Sequence, residues 1–273
     1  MSALERSSGW LSGTQLKYLA ALFMVIDHVG MFFEPMAPFF PPDSLWFYLL
    51  RYVGRLAFPI FAFFVAEGCR KTRDYAAYLR RLFCFAALTQ IPLYFVMPED
   101  GHSVITTFFL ASLAIGLYRR FQEKGRPVLG LLLGGVCVFL AQPLHGDYGW
   151  IGALIVVILY FCGEDRARQL RMLALCLLCY YLAGNLWAYW GVPALSILPT
   201  EGWARFLVDM RGRLPYFQRF YLPYSLLMTA FACLSLAPLS RYNGTRGNGS
   251  RWFFYWFYPG HLVLLAGLSA LLS

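Results

Sequence analysis

The sequence predicts an all-α integral membrane protein, a polytopic bundle of about nine transmembrane helices that forms one domain over residues 1–273. Of the 273 residues, 59% are hydrophobic and 14% are charged, whereas soluble domains average about 45–50% apolar and about 25% charged residues. The apolar residues occur in blocks about 20 residues long, which is the length a helix needs to cross a bilayer core. No block alternates apolar and polar residues as the strand of a barrel does.

Nine spans follow these blocks in chain order: 15–34, 45–68, 76–97, 104–121, 127–144, 148–163, 170–190, 221–239 and 252–272. The first span runs into EPMAPFFPP and not into a small-residue cleavage site, so it does not read as a signal peptide. Trp and Tyr at the edges of many blocks are typical of membrane–water interfaces. The seven Cys lie mostly inside the blocks, which favours packed thiols over a disulfide framework or a metal site.

The charges between the spans predict the topology. The net charge is +9, and most Lys and Arg lie at the N-terminus (Arg6, Lys17) and in CRKTRDYAAYLRR, RRFQEKGR, EDRARQLR and SRYNGTRGNGSR. With nine spans, all these segments lie on one side, and the positive-inside rule makes that side cytoplasmic, together with the N-terminus. The basic excess is therefore a topology signal, and no motif indicates a nucleic-acid partner.

The segment 191–220 is the exception to this charge pattern. It lies on the predicted outer side but carries Arg205, Arg211, Arg213 and Arg219. We expect this long outer segment to lie partly in the interface or to fold back over the protein.

A band of polar residues interrupts the apolar spans. MVIDHVGMFF places Asp27 and His28 in span one, and further polar side chains occupy spans two, three and nine: Arg51, Arg55, Glu67, Gln90 and His261. At 1.5 Å per residue, His28, Arg55 and Gln90 lie about 18–21 Å from the inner face, and His261 about 14 Å. Charged groups at this depth cost several kcal/mol, so they persist where they are paired or functional.

Pairing chemistry suggests roles within the band. Arg55 cannot lose its proton, so it needs an acceptor, and the carboxylate of Asp27 is the best one available. His28 then faces a cavity, where its intrinsic pKa suits a general base. The alternatives are that the pair only fixes helix register and that His28 is a hydrogen-bonded core histidine. Glu67 reads equally as a salt bridge to the inner loop, and Tyr258 as an aromatic of the interfacial belt.

The inner loop after span two carries a second cluster, Lys71, Arg73, Arg80 and Arg81. These residues are either topology charges or a binding site for a phosphate-bearing donor.

Several blocks together resemble one family. LKYLAALFMVIDHVGMFF, GRLAFPIFAFFVAEG, KTRDYAAYLRRL, HGDYGWIGALI, RYNGTRG and FFYWFYPGHLVLL occur in the order seen in the family of the conjugal-transfer pilin acetylase, TraX. The resemblance covers nearly the whole chain, and GRLAFPIF and FYPGHL are its distinctive parts. The chain departs from the family's pattern at HSVITTFFLA, where span four opens. The family is similar to the wider superfamily of transmembrane acyltransferases.

The resemblance implies a bacterial inner-membrane acetyltransferase. Acetyl-CoA would be a co-substrate from the cytoplasm, with no permanently bound cofactor and no metal. Its phosphates would meet Lys71, Arg73, Arg80 and Arg81, and His28 would act as base or carry the acetyl group. Asp27 would orient His28 or pair with Arg55, and Arg55, with Gln90 or His261, would stabilise the oxyanion.

The acceptor implied by the resemblance is an amine or hydroxyl of a peptide, a pilin or a glycan, the N-terminus of a pilin-like protein being one candidate. Two other classes remain open at this point. A transporter or lipid-linked carrier would also use charges at the midplane, and a non-catalytic assembly factor would use the band only for helix packing.

Overall fold

The computed structural model describes residues 9–33, 45–96 and 101–272. Throughout these ranges the chain is helical, apart from turns and two isolated backbone bridges. The expectations for Arg6 and for the loops over 34–44 and 97–100 concern residues outside the described ranges. Within the ranges, the predicted all-α class is confirmed.

The helices are α1 (Gly13–Phe33), α2 (Leu45–Gly54), α3 (Ala57–Lys71), α4 (Tyr75–Val96), α5 (Val104–Glu123), α6 (Pro127–Leu140), α7 (Gly149–Phe161), α8 (Arg166–Leu177), α9 (Gly184–Leu186), α10 (Val192–Tyr216), α11 (Leu222–Leu234), α12 (Leu236–Ser240) and α13 (Arg251–Leu272). Three π-helical segments join α8 to α11: Leu178–Ala183, Trp187–Gly191 and Phe217–Tyr221.

Five helical stretches of the described chain are long and apolar enough to cross a membrane: Gly13–Phe33, Leu45–Lys71, Val104–Glu123, Arg166–Ser240 and Trp252–Leu272. Two shorter helices, α6 and α7, are apolar as well. The side chains fully buried between helices include Leu16, Ile60, Phe63, Ile115 and Leu159. The core therefore lies between α1, α3, α5 and α7, while α6 and α13 present apolar residues outward.

The second crossing is broken in its middle. α2 ends at Gly54 and α3 begins at Ala57, and the amides of Arg55 and Leu56 instead bond three residues back. Pro59 contributes to the break because it has no N–H to donate to the carbonyl of Arg55, four residues earlier. The break places Arg55 at an irregular point of the backbone inside the bundle.

The predicted inner segments meet at one end of the bundle. Backbone bonds join the start of α1 to the loop before α13, such as Leu11 N–H to the Arg241 carbonyl at 3.0 Å. Arginine side chains connect the remaining segments: Arg119 to Cys69 O, Arg70 to Leu159 O, and Arg166 to Leu239 O. We call this the basic end, formed by residues 69–81, 119–126, 164–171 and 240–251.

The α6–α7 hairpin is too short to cross a bilayer. Its helices have 14 and 13 residues, so each is only about 20 Å long against a hydrocarbon core of about 30 Å. Since Arg70 binds the C-terminal end of α7 at the basic end, the connecting loop 141–148 stops within the depth of the bundle. Irregular backbone at that depth is tolerated where it is enclosed by protein.

The stretch Arg166–Ser240 has 75 residues and reverses direction once. Gly202 adopts φ 77° and ψ −179°, a conformation open only to glycine. On either side of this turn the two arms pack together, with Tyr189 Oη donating to the Arg213 carbonyl at 2.9 Å and Tyr221 Oη donating to the Asn185 carbonyl at 3.3 Å. The segment 191–220 thus forms the tip of a helical hairpin. Its outer or interfacial location stays a prediction.

Candidate active site

Asp27 is the centre of a buried ion cluster. Its Oδ1 atom accepts a hydrogen bond from Arg55 Nη2 at 2.6 Å and lies 3.1 Å from Arg51 Nη1. The side chains of Asp27 and Arg55 are only 16% and 13% exposed, so neither charge could be buried without the other at acceptable cost. Arg51 also donates to the backbone carbonyl of Asp27 at 3.4 Å. The Asp27–Arg55 pair expected from depth counting is present.

Gly54 makes this cluster possible. A Cβ atom at this position would overlap the side chain of Asp27. The absence of a side chain lets α2 approach α1 at the level of the carboxylate, as small residues do between membrane helices. The approach also aligns both arginines with the same oxygen of Asp27.

The neighbouring residue, His28, has a different partner. Its Nδ1 atom lies 3.0 Å from Nε2 of His261 on α13, and Nδ1 of His261 lies 2.7 Å from the Phe257 carbonyl. We assign the protons from these partners: His261 Nδ1 donates to the carbonyl, its Nε2 accepts, and His28 Nδ1 donates. With both rings neutral, this chain leaves the lone pair of His28 on Nε2, ready to accept a proton.

Asp27 and His28 therefore have separate tasks. Asp27 holds the arginines, whereas His28 is oriented by His261 and not by Asp27. A base that is itself oriented by a third group is the geometry that nucleophilic and acyl-transfer enzymes require. The structure brings together four of the predicted residues, namely Asp27, His28, Arg55 and His261.

Tyr258 lies beside this group in the interior. Its side chain is 4% exposed and its ring meets that of His28 edge-on at 6.4 Å. Its hydroxyl oxygen accepts a hydrogen bond from the Val104 amide at 3.3 Å. The alternative interpretation of Tyr258 as an interfacial belt residue is wrong, because the ring is packed between α1 and α5.

Gln90 has the expected depth but other partners. Its Nε2 donates to the Gly101 carbonyl at 2.7 Å, and its Oε1 accepts from Thr106 Oγ1 at 3.1 Å. Both polar atoms of the amide are thus used to join α4 to the start of α5. The structure gives Gln90 a positioning role at the edge of the band.

Glu67 lies at the basic end, apart from the ion cluster. It accepts from Lys71 Nζ at 2.7 Å and from Tyr242 Oη at 3.0 Å. Burial, together with the adjacent carboxylate, raises the pKa of Tyr242, which therefore donates as a neutral phenol. Since the Glu67 side chain is only 13% exposed, this network ties α3 to the loop before α13 and is not a solvated surface pair.

A cavity of about 740 Å³ opens at the basic end, and its lining includes Glu67, Arg70, Lys71, Arg166 and Tyr242. Of the four predicted donor-binding residues, Lys71 alone is among the lining residues. The other three lie close by in sequence, with Arg73 in the α3–α4 turn and Arg80 and Arg81 on the first turns of α4. Arg73 and Arg80 are exposed, and Arg81 is half-buried.

The sequence interpretation missed the loop between α6 and α7. The Tyr148 hydroxyl accepts a hydrogen bond from Arg55 Nη1 at 3.5 Å, and its ring stacks on Phe58 with centroids 3.9 Å apart. Among the described residues other than glycine, only His145 and Tyr148 have positive φ, at 53° and 63°. Such strain costs about 1–3 kcal/mol per residue and clusters at functional sites. The block HGDYGW was the available signal, but the span assignment placed 145–147 in an outer loop and Tyr148 at the first position of the next span.

The fold and the buried ion cluster define the class of the protein: it is a helical integral membrane protein with a polar centre inside the bundle. Comparison with known proteins then places it in a family. The family model described as "TraX protein" matches residues 12–269. The chain belongs to the TraX family.

One curated relative matches along almost its whole length. It is the "Probable fimbrial assembly protein FimC, serogroup H1" of Dichelobacter nodosus, which is 27% identical over 275 residues that cover 96% of this chain and 97% of the relative. No solved structure matches the chain.

Proposed function

We propose that this protein is a membrane acetyltransferase that moves an acetyl group from cytoplasmic acetyl-CoA to an amine or hydroxyl of an acceptor at or across the membrane. One observation carries the proposal: the hydrogen-bond chain Phe257–His261–His28 leaves a basic nitrogen on His28, next to the buried Asp27–Arg55 pair. A base and a fixed cation inside an apolar bundle are what acyl transfer needs.

The basic end supports a proposed topology. Four basic segments and the start of α1 meet there, and the positive-inside rule makes such an end cytoplasmic. We therefore propose a cytoplasmic N-terminus, seven full crossings in place of the nine expected from the sequence, since α6 and α7 are too short to cross, and a location in the bacterial inner membrane. The helical hairpin turned at Gly202 supplies two of the crossings, and α6 and α7 form a partial pair.

Acetyl-CoA would be bound at the basic end. The cavity there reaches Lys71, and the phosphates of the donor would contact Lys71, Arg73, Arg80 and Arg81, since phosphates form strong bonds with cationic side chains. The pantetheine arm would extend along α3 toward Arg55. Lys71 is the last residue of that helix, and Arg55 lies just before its first residue. Sixteen residues separate them, or about 24 Å of helix.

The reaction would begin when His28 Nε2 removes a proton from the acceptor. Asp27 would keep Arg55 in place, while Arg55 would polarise the acetyl carbonyl. Gln90 and Tyr258 would act by fixing the elements around His28.

The relative's name supports a pilin-like acceptor. A fimbrial assembly protein with matching length suggests that the acceptor is a fimbrial or pilin subunit, and the TraX resemblance suggests its N-terminal amine. The same name also favours a second candidate function, a non-catalytic factor in fimbrial assembly. The two differ in whether an acetyl group is transferred.

The test uses purified protein in lipid nanodiscs, radiolabelled acetyl-CoA and a synthetic pilin N-terminal peptide with a free α-amine. The wild-type protein should label this peptide but not the same peptide with a blocked amine. His28→Ala should abolish labelling, while Leu22→Ala on the same helix, at a side chain that is 56% exposed, should retain it. Both variants should still unfold cooperatively on heating. Peptide binding without labelling would support the assembly factor and refute the acetyltransferase, and full activity of His28→Ala would exclude His28 as the base.

A further inference from the structure

Three irregular backbone elements converge beside Arg55. The first is the break between α2 and α3, which carries Arg55 itself. The second is the loop before α7, in which Tyr148 is held at positive φ. The third is the π-helical segment Leu178–Ala183, which carries Tyr181. π-helical turns frequently occur at functional sites, and so do strained loop residues.

Tyr148 is held in its strained conformation by several hydrogen bonds. Its amide donates to its neighbour Asp147 Oδ1 at 2.9 Å, and its carbonyl accepts from the Gly152 amide at 2.9 Å. The Asp147 amide in turn donates to the Ser103 carbonyl at 3.1 Å. The result is a fixed phenol whose oxygen accepts from Arg55, so its own proton is available for another acceptor.

Tyr181 carries an unpaired hydroxyl at the same place. The residue is 5% exposed, and within the described residues its hydroxyl has no hydrogen-bond partner. The preceding residue, Tyr180, packs against Tyr148 with ring centroids 5.5 Å apart, so the π-helical segment that carries Tyr181 lies against the same loop. A buried hydroxyl without a partner costs about 1–3 kcal/mol, and this cost would be recovered if a ligand oxygen accepted its hydrogen bond.

The geometry points to an oxyanion site formed by Arg55, Tyr148 and Tyr181, which binds the carbonyl oxygen of the acyl thioester. This inference rests on the proposed acetyltransferase function and names the groups that act on the substrate. The guanidinium and the two phenols are all hydrogen-bond donors. Each can stabilise an anion without changing its own protonation state. Donors fixed before the reaction are the most effective form of such stabilisation.

The site would act at one step. The acceptor nitrogen attacks the acetyl carbonyl carbon and forms the C–N bond, while His28 takes the proton from nitrogen. The carbonyl electrons move to oxygen, and this oxyanion receives hydrogen bonds from Arg55, Tyr148 and Tyr181. The carbonyl then re-forms and the C–S bond breaks. CoA leaves as a thiolate and takes the proton from His28, so the products are the acetylated amine and the free thiol.

The experiment compares Tyr181→Phe and Tyr148→Phe with Tyr224→Phe, a matched loss of one phenol hydroxyl on α11. Turnover of radiolabelled acetyl-CoA with the free-amine peptide is measured in nanodiscs. Removing one oxyanion donor should lower kcat about 100-fold and leave the KM for acetyl-CoA unchanged. Tyr181→Phe should also keep or raise the melting temperature, because it removes an unpaired hydroxyl. Tyr224→Phe should retain wild-type kcat.

Three outcomes would count against the inference, and they can be told apart. A wild-type protein that transfers no acetyl group refutes the proposed function, and the oxyanion site with it. An active wild-type protein with undiminished kcat in Tyr181→Phe and Tyr148→Phe overturns the oxyanion site alone. A lowered melting temperature with proportionate loss of kcat in Tyr181→Phe would show that its hydroxyl is structural, which also overturns the assignment.

Discussion

The Nδ1 atom of His28 lies 3.0 Å from the Nε2 atom of His261, so a histidine on the first helix is oriented by a histidine on the last. His261 is anchored in turn by the Phe257 carbonyl, 2.7 Å from its Nδ1 atom. The relationship joins α1 to α13 and gives His28 one defined tautomer. The contribution of His261 to the proposed reaction can therefore be separated from that of the base itself.

His261→Ala should lower kcat for acetyl transfer by about 10²-fold, near the lower limit for a group that supports general-base catalysis. His28 would remain present but would lose the acceptor that keeps its Nδ1 protonated. The measurement is initial rate with radiolabelled acetyl-CoA and the free-amine peptide. Val263→Ala is the control, since Val263 lies on the same helix and is 71% exposed. Wild-type rates in His261→Ala would show that the histidine pair has no part in the reaction.

Asp27→Ala should destabilise the protein by about 3–5 kcal/mol, because it leaves the guanidinium groups of Arg51 and Arg55 inside the bundle without a carboxylate. The measurement is thermal unfolding in detergent. The matched control is Asp209→Ala, which breaks an ion pair of equal length, 2.6 Å to Arg213, on a more exposed helix surface. That pair should contribute no more than about 1 kcal/mol. Equal losses in the two variants would contradict a special role for the buried cluster.

The sequence predicted this cluster but not the histidine pair, for a geometric reason. Counting residues along a helix gives depth, and Asp27 and Arg55 share a depth and have complementary charge. Counting does not give the rotation of one helix against another. His28 and His261 were therefore placed in one band without being predicted as partners, and Gln90 was placed there although its amide faces Gly101.

Tyr148 and Tyr181 could not be predicted as site residues by counting residues along helices. Depth counting assumes that each helix crosses the whole bilayer. The apolar block 127–144 is long enough to be assigned such a helix. In the structure α6 ends at Leu140, and the rest of the block turns back as a loop. Tyr181 lies on a π-helical turn, which shifts its direction from that of an ideal helix. Both departures arise from tertiary packing, which composition does not reveal.

Gly54→Ala should destabilise the protein by about 1–3 kcal/mol and lower acetyl transfer, because the added methyl group would overlap Asp27 and force α1 and α2 apart. Gly135→Ala is the control: a Cβ atom there meets nothing within 4 Å, and alanine is the better helix former by about 1 kcal/mol. Thermal unfolding in detergent should thus move in opposite directions for the two variants. An unchanged melting temperature in Gly54→Ala would argue against close packing at the carboxylate.

Charge reversal at the basic end tests where the donor binds. Lys71→Glu, Arg73→Glu and Arg80→Glu should each raise the KM for acetyl-CoA about tenfold and leave kcat nearly unchanged, because contacts to the phosphates act equally in the ground state and the transition state. The effect should weaken as salt increases, since these side chains are exposed and their charges are screened. Lys124→Glu is the control, because Lys124 is exposed at the same end but lies in the α5–α6 turn, away from the cavity. If Lys124→Glu raised the KM as much as Lys71→Glu, the effect would come from the general field of the basic end. In that case the donor site would have to be sought elsewhere on that surface, beginning with Arg70 and Arg166, which line the cavity.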